Sequence, residues 1–341
     1  MSGNFPIKLD ILAGKAEAVL TPGTAIAVAD ADFDVRFRGI EMSLDYPQDD
    51  ENSKHATGDD AEDESLTGAT SCTVRASAWV ASSGSFAEAP AIAKYLKACG
   101  LFSTEWEPDK GVSWAPQKVE GCSTMTLNAQ RIQRGATPGA KNYIIAGCMG
   151  NVTIQADGIG AGWIYNFEFK GKLVDIVDIA EGAFLELTGN DTAVAEKLLS
   201  NSFTTGGIAL SISTFALDAG NVIEGQTDQS DATGYAYFRI SERHPRFSCN
   251  PYEVPNTTGT IKYDFDAIVR AQTLGAISIA SAATTPNYTI SAPRAQLVGP
   301  GLSSREGDAS LDFNYRLLRN TAGADAAAKE HTWELLFGAK E

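Results

Sequence analysis

One stretch constrains the fold more than any other. Residues 150–173 read GNVTIQADGIGAGWIYNFEFKGKL. Val152, Ile154 and Ala156 alternate with polar neighbours, and a glycine-rich turn through Gly158, Gly160 and Gly162 follows. Then Trp163, Tyr165, Phe167 and Phe169 fall on one face, with Ile164, Asn166, Glu168 and Lys170 on the other. Successive side chains of a strand point to opposite faces, so a period of two marks a half-buried strand. The stretch is a β-hairpin whose four aromatic rings can fill one layer of a core.

A second stretch has the same pattern. Residues 295–318 pass through Gly299, Pro300 and Gly301 into a strand with Leu311, Phe313, Tyr315 and Leu317 on one face. Phe167 and Phe313 are 146 residues apart, as are Phe169 and Tyr315. The match is one of pattern, and it fits either a duplicated β domain or the common look of β-hairpins. The chain's 341 residues suffice for two domains.

The remaining strands read from the same alternation: 33–46 with a bulge at Gly39, 71–81 with Cys72, Val74, Ala76 and Ala78 inward, then 123–133, 143–148, 208–217, 235–240 and 331–337. Residues 1–32 read as an extended arm with short strand potential. A helix is expected over 86–99, with Pro90 in its first turn, Gly100 at its stop, and Ile92, Tyr95, Leu96 and Cys99 as its apolar stripe. A short helix is expected over 192–199, and residues 264–272 read as a second helix whose start could also be strand.

Residues 47–70 differ in kind. Asp49, Asp50, Glu51, Asp59, Asp60, Glu62, Asp63 and Glu64 are opposed only by Lys54 and His55. A segment with so little apolar surface reads as a long solvated loop. Calcium binding is a weaker reading, because the carboxylates lack the spacing of a known calcium loop. The third reading is a loop that orders on assembly.

The formal net charge is −16, which argues against a protein that grips nucleic acid through its phosphates. No apolar run reads as a signal sequence or membrane span. The five cysteines are widely spaced without a CxxC and read as reduced, small hydrophobic residues. His55, His244 and His331 have no metal-ligand spacing, and neither a nucleophile elbow nor a phosphate loop occurs. Arg239, Arg243 and Arg246 read as a salt-bridged surface. The expectation is a non-enzyme without cofactor or metal.

Several ordered phrases resemble the tail tube (major tail) proteins of long-tailed, non-contractile bacteriophages. They are the run from strand 72–79 through 90–99 to Cys99-Gly100-Leu101-Phe102, the strand 125–131 leading into the hairpin around 147–169, Ser291-Ala292-Pro293-Arg294-Ala295-Gln296, and the closing Glu330-His331-Thr332-Trp333-Glu334-Leu335. The resemblance covers roughly residues 30–175 well and 206–337 less tightly. It implies a mainly β fold of two tandem tail-tube-like β-sandwich domains, each with a flanking α-helix. The first would span 1–178 and carry the acidic loop, 179–206 would connect, and 207–341 would be a second tube-like domain or a decoration. Homo-oligomeric rings would stack into a tube in the virion. Three chains with pseudo-sixfold symmetry are favoured over six, and the tape measure, tail terminator and baseplate or distal tail proteins are the implied partners. DNA would pass through the lumen unbound, repelled by carboxylates over a Debye length of about 8 Å. The alternative is a two-domain β-sandwich adhesin or glycan-binding module.

By position, 47–70 is the loop that in this family reaches the neighbouring ring. Deleting 48–65 is therefore expected to leave the circular dichroism spectrum and melting temperature nearly unchanged while abolishing polymerisation. Normal tubes from that deletion would remove the loop from the assembly contact.

Overall fold

The computed structural model describes residues 7–18, 21–45, 48–49, 66–67, 69–82, 90–103, 112–116, 123–133, 139–180, 185–186, 194–195, 197–198, 202–254, 263–281, 288–305, 308–319 and 332–337. The fold is mainly β, built from antiparallel pairings.

Six strands pair in a closed cycle in the first half, here the N-sheet. In chain order they are Ile7–Lys8 continued by Ile11–Ala16, Arg38–Asp45, Ser71–Trp79, Met125–Gln133, Gly139–Ala156 and Ile164–Ala180. The first pairs with the fourth, the fourth with the fifth, the fifth with the sixth, the sixth with the third, the third with the second, and the second with the first. Closure leaves no bare edge around most of the cycle.

The second half, here the C-sheet, repeats this order. Its strands are Ser202–Thr205, Ile208–Leu210 continued by Ile212–Asp218, Arg246–Pro251, Leu274–Ala280, Tyr288–Leu297 and Asp308–Leu317. Again the cycle runs first, fourth, fifth, sixth, third, second and back to first. Each half also places its helix between the third and fourth strands, Ala93–Ala98 and Phe265–Arg270. The inward residues correspond: Leu12 lies opposite Ala129 as Phe203 lies opposite Ile279, and Phe167 opposite Ala76 as Phe313 opposite Cys249. All eight are buried.

The aromatic hairpin is the centre of this packing. Phe167 and Phe169 stack with centroids 5.5 Å apart, and Tyr95 of the helix meets Phe37 edge-on at 4.9 Å. In the C-sheet, Phe313 and Tyr315 lie edge to face at 6.0 Å. The bulge expected at Gly39 is present: its φ is +56°, and the register shifts between Arg38 and Glu41.

Two expectations need correction. The helix expected over 86–99 forms only over Ala93–Ala98 among the described residues, because the chain at Pro90 enters through a turn. The helix expected over 192–199 does not form among its described residues: Val194–Ala195 pairs with Ala81–Ser82, and Lys197 bridges Gly162. Cross-strand partners outweigh a short helical pattern there, since a helix of two turns is marginal by itself. Within the span 1–32, the short strand potential is realised by Ile7–Lys8 and Ile11–Ala16, with Leu12 and Ala13 fully buried in the N-sheet.

Buried residues of both sheets form one continuous apolar cluster. Phe167→Ala and Phe313→Ala should each destabilise the chain by about 3–5 kcal/mol. Both are expected to shift a single urea transition, seen alike by circular dichroism and by fluorescence of the buried Trp114, Trp163 and Trp333. Separate transitions for the two variants would show independent halves.

Candidate assembly surface

The two sheets join edge to edge in two places. The end of the N-sheet's fifth strand, 153–156, takes residues 215–218 of the C-sheet on its outer edge, with Ile154 opposite Leu217. Trp163 seals this seam against Phe215, the rings 4.8 Å apart and nearly perpendicular. At the second seam, Val112–Pro116 of the N-terminal half pairs with Glu334–Phe337, Trp114 lying opposite Leu335.

A hairpin of Asn221–Thr227 and Tyr235–Arg243 leaves the C-sheet between its second and third strands and folds back over the N-sheet. Its apolar side buries Phe238 and Ile240 against Met149. Its base is fixed by polar contacts. Asn221 donates through Nδ2 to the carbonyls of Cys99 (2.8 Å) and Gly150 (2.9 Å), and Arg243 donates to the Gly100 carbonyl at 3.1 Å. Its tip is held by an ion pair, Lys172 Nζ to Asp231 Oδ2 at 2.5 Å. Burial opposes ionisation of Asp231, but hydrogen bonds from Lys172 and Thr233 prevail and hold its carboxyl at about 2.

Close approach demands glycine beneath this hairpin. Gly147 has φ +64°, and a Cβ there would sit 2.9 Å from the Tyr237 Cα. The platform below is organised by Glu17, a buried carboxylate that accepts four hydrogen bonds. They come from the backbone N–H of Gly23 (2.6 Å) and Gly147 (2.8 Å) and the hydroxyls of Thr124 (2.6 Å) and Thr126 (2.8 Å). A carboxylate so satisfied is retained in a core where an unpaired one would not be.

Between the hairpin and the N-sheet lies a polar groove of about 570 Å³, lined by Arg75, Ser77, Asn151, Asn166, Glu168 and Lys170 among others. Its side chains largely satisfy one another, with Arg75 Nε donating to Glu168 at 2.8 Å and Ser77 to Asn166 at 2.7 Å. Cys72, Cys99, Cys148 and Cys249 are free and buried, and burial pushes their thiols up, Cys72 to about 12.

Of the acidic residues singled out by sequence, Asp49 lies in the short strand Gln48–Asp49, which pairs with Leu66–Thr67. Asp50, Glu51, Asp59, Asp60, Glu62, Asp63 and Glu64 lie outside the described residues, as do His55, His331 and Cys122. His244 meets Glu242 at 3.0 Å on the surface, and Arg243 serves the hairpin base. Among the described residues no cluster of metal-ligating side chains occurs, and no helix is long and apolar enough to cross a membrane. No protein-family model matches this chain, and no curated protein does.

Sequence reasoning missed the seams and the 221–243 hairpin, of which it read only 235–240. It also missed two aliphatic edges: 174–180, with Val174 46% and Ile176 42% exposed, and Gly301–Arg305, with Leu302 81% exposed. Neither outer edge has a strand partner among the described residues.

The Asp231 carboxyl lies below its ordinary 3.8 in the fold, so its stabilising contribution is complete above about pH 4 and is lost as pH falls toward about 2. Hydrogen exchange of amides 221–243, corrected for intrinsic rates, should accelerate over that window. Lys172→Met should loosen the hairpin already at neutral pH and flatten the acid response; an unchanged acid response would exclude the pair as the clamp.

Proposed function

We propose that this chain is a structural subunit that polymerises with its own copies into a hollow tube, as the tail tube proteins of long-tailed bacteriophages do. The carrying observation is the repeated strand order, with two closed sheets already joined edge to edge inside one chain. A unit that contains two such seams and, among the described residues, leaves two aliphatic edges without a strand partner is suited to head-to-tail contact, which builds rings when the rotation closes. Three chains would supply six similar sheets per ring, and stacked rings would make the conduit for DNA ejection.

Charge supports the same reading. DNA carries about one negative charge per 1.7 Å of axis, and a chain of net charge −16 repels it. In this proposal the acidic 47–70 loop contacts the neighbouring ring. It occupies the same connection, between second and third strands, as the 221–243 hairpin of the C-sheet. Tail-completing proteins, including a tape measure and a terminator, would meet the two ends.

Negative-stain electron microscopy of the purified chain at rising concentration tests this. Rings or hollow tubes are expected, with class averages of threefold symmetry and sixfold appearance. Discrete monomers at every concentration, also in the presence of tail-initiating partners, would overturn it.

A further inference from the structure

Because both sheets follow one strand order, each position in one has a counterpart in the other. The seams inside the chain can then be compared with the edges left open. Residues 153–156 pair on one side with the sixth strand, Ile154 opposite Tyr165, and on the other with 215–218. Their counterpart is Gly301–Arg305, which pairs with the sixth strand of the C-sheet, Leu302 opposite Leu311. Leu302 therefore corresponds to Ile154. Ile154 is fully buried by the seam, whereas Leu302 is 81% exposed.

The second seam gives the same result. Glu334–Phe337 lies on the C-sheet's fifth strand with Leu335 opposite Ile290. Residues 175–178 take that place on the N-sheet's fifth strand, with Ile176 opposite Tyr143. Ile290 and Tyr143 are counterparts, so Ile176 corresponds to Leu335. Val112–Pro116 covers the outer edge at Leu335, which is fully buried, while Ile176 is 42% exposed beside an edge with no strand partner among the described residues.

We infer that these two edges are the two sides of one contact between copies of this chain, in which the C-sheet of one copy meets the N-sheet of the next. The inference rests on the self-assembling reading above and gives its residues. Edge Gly301–Arg305 of one copy lies along the second strand of the next, and edge 174–180 of that next copy receives a segment of the first. The counterpart of Leu217 is Met42: Leu217 lies opposite Phe247, itself opposite Tyr315, and Met42 opposite Val74, itself opposite Phe169. Leu302 thus faces Met42 of the neighbouring copy.

In the single chain the 41–42 edge is occupied by Ile7 and Lys8. The counterpart of Ile7 is Leu198, since each lies five residues before a matching inward residue, Leu12 or Phe203. Leu198 does not lie on its own sheet. It pairs with the hairpin turn of the N-sheet, its N–H donating to the Ala161 carbonyl (2.8 Å) and its carbonyl accepting from Gly160 N–H (2.7 Å). The two-residue Ile7–Lys8 pairing is a placeholder that leaves the 41–42 edge when the neighbouring copy takes it.

Directly opposed residues in an antiparallel pair stand about 4.5–5.5 Å apart at Cα, within reach of a disulfide. The Leu302→Cys, Met42→Cys double variant should form intermolecular disulfides on mild oxidation of assembled protein, giving a ladder on non-reducing gels that ends at the ring number. Either single variant should give no such ladder. Because Met42 is buried, two surface variants accompany it. Leu302→Asp and Ile176→Asp should keep the circular dichroism of the parent and raise the concentration needed for rings at least tenfold. Rings that form without the ladder, and aspartate variants that assemble like the parent, would overturn this contact while leaving self-assembly intact. A parent chain that never assembles would overturn both.

Discussion

Backbone pairing between 153–156 and 215–218 is the contact on which the rest of the molecule depends. It converts two closed sheets into one body, because hydrogen bonds that would face solvent at one sheet's edge are satisfied by the other. Trp163 then fills the angle between the sheets with Phe215, and a continuous apolar core follows. The second seam, through Val112–Pro116 and Glu334–Phe337, ties the same two bodies at a separate place and fixes their orientation. One seam alone would leave a hinge.

The 221–243 hairpin adds a clasp across this body, and its hold combines unlike forces. Phe238 and Ile240 contribute apolar burial on Met149, Asn221 and Arg243 satisfy carbonyls, and Lys172 with Asp231 adds a charged pair at the tip. Glu17 makes the landing site rigid. Its four donors come from the turn at Gly23, the start of the fourth strand with Thr124 just before it, and the fifth strand, so one carboxylate fixes three chain segments beneath Tyr237.

The strands were legible wherever a period of two ran long enough, as at Cys72 to Ala78 and Trp163 to Phe169, because burial of one face writes itself into the sequence. The start of 264–272 was open between helix and strand in the sequence, and the structure decides it for a helix, with Asp264 accepting from the Ala267 N–H as a cap. Residues 192–199 misled because alanine, valine and leucine at helical spacing are also compatible with an extended segment held by distant partners. Asn221–Thr227 was invisible because Gly225 and its polar neighbours blur the alternation. The seams and the open edges could not be read at all. Pairing partners such as Trp114 and Leu335 lie far apart in sequence, and nothing in a strand's own pattern names its neighbour.

That separation has a consequence in time. Contacts between distant segments form late, since the loop between them must be closed first. During synthesis the first sheet can close on its own strands and Val112–Pro116 can pair with Leu101–Ser103, but its other edge meets its partner only once Glu334–Phe337 has left the ribosome. Each new chain thus lacks its second seam for most of its synthesis, and the orientation of its two sheets is fixed only by its last described strand. A fold arranged this way leaves its two sheets joined by a single seam until the last described strand is in place.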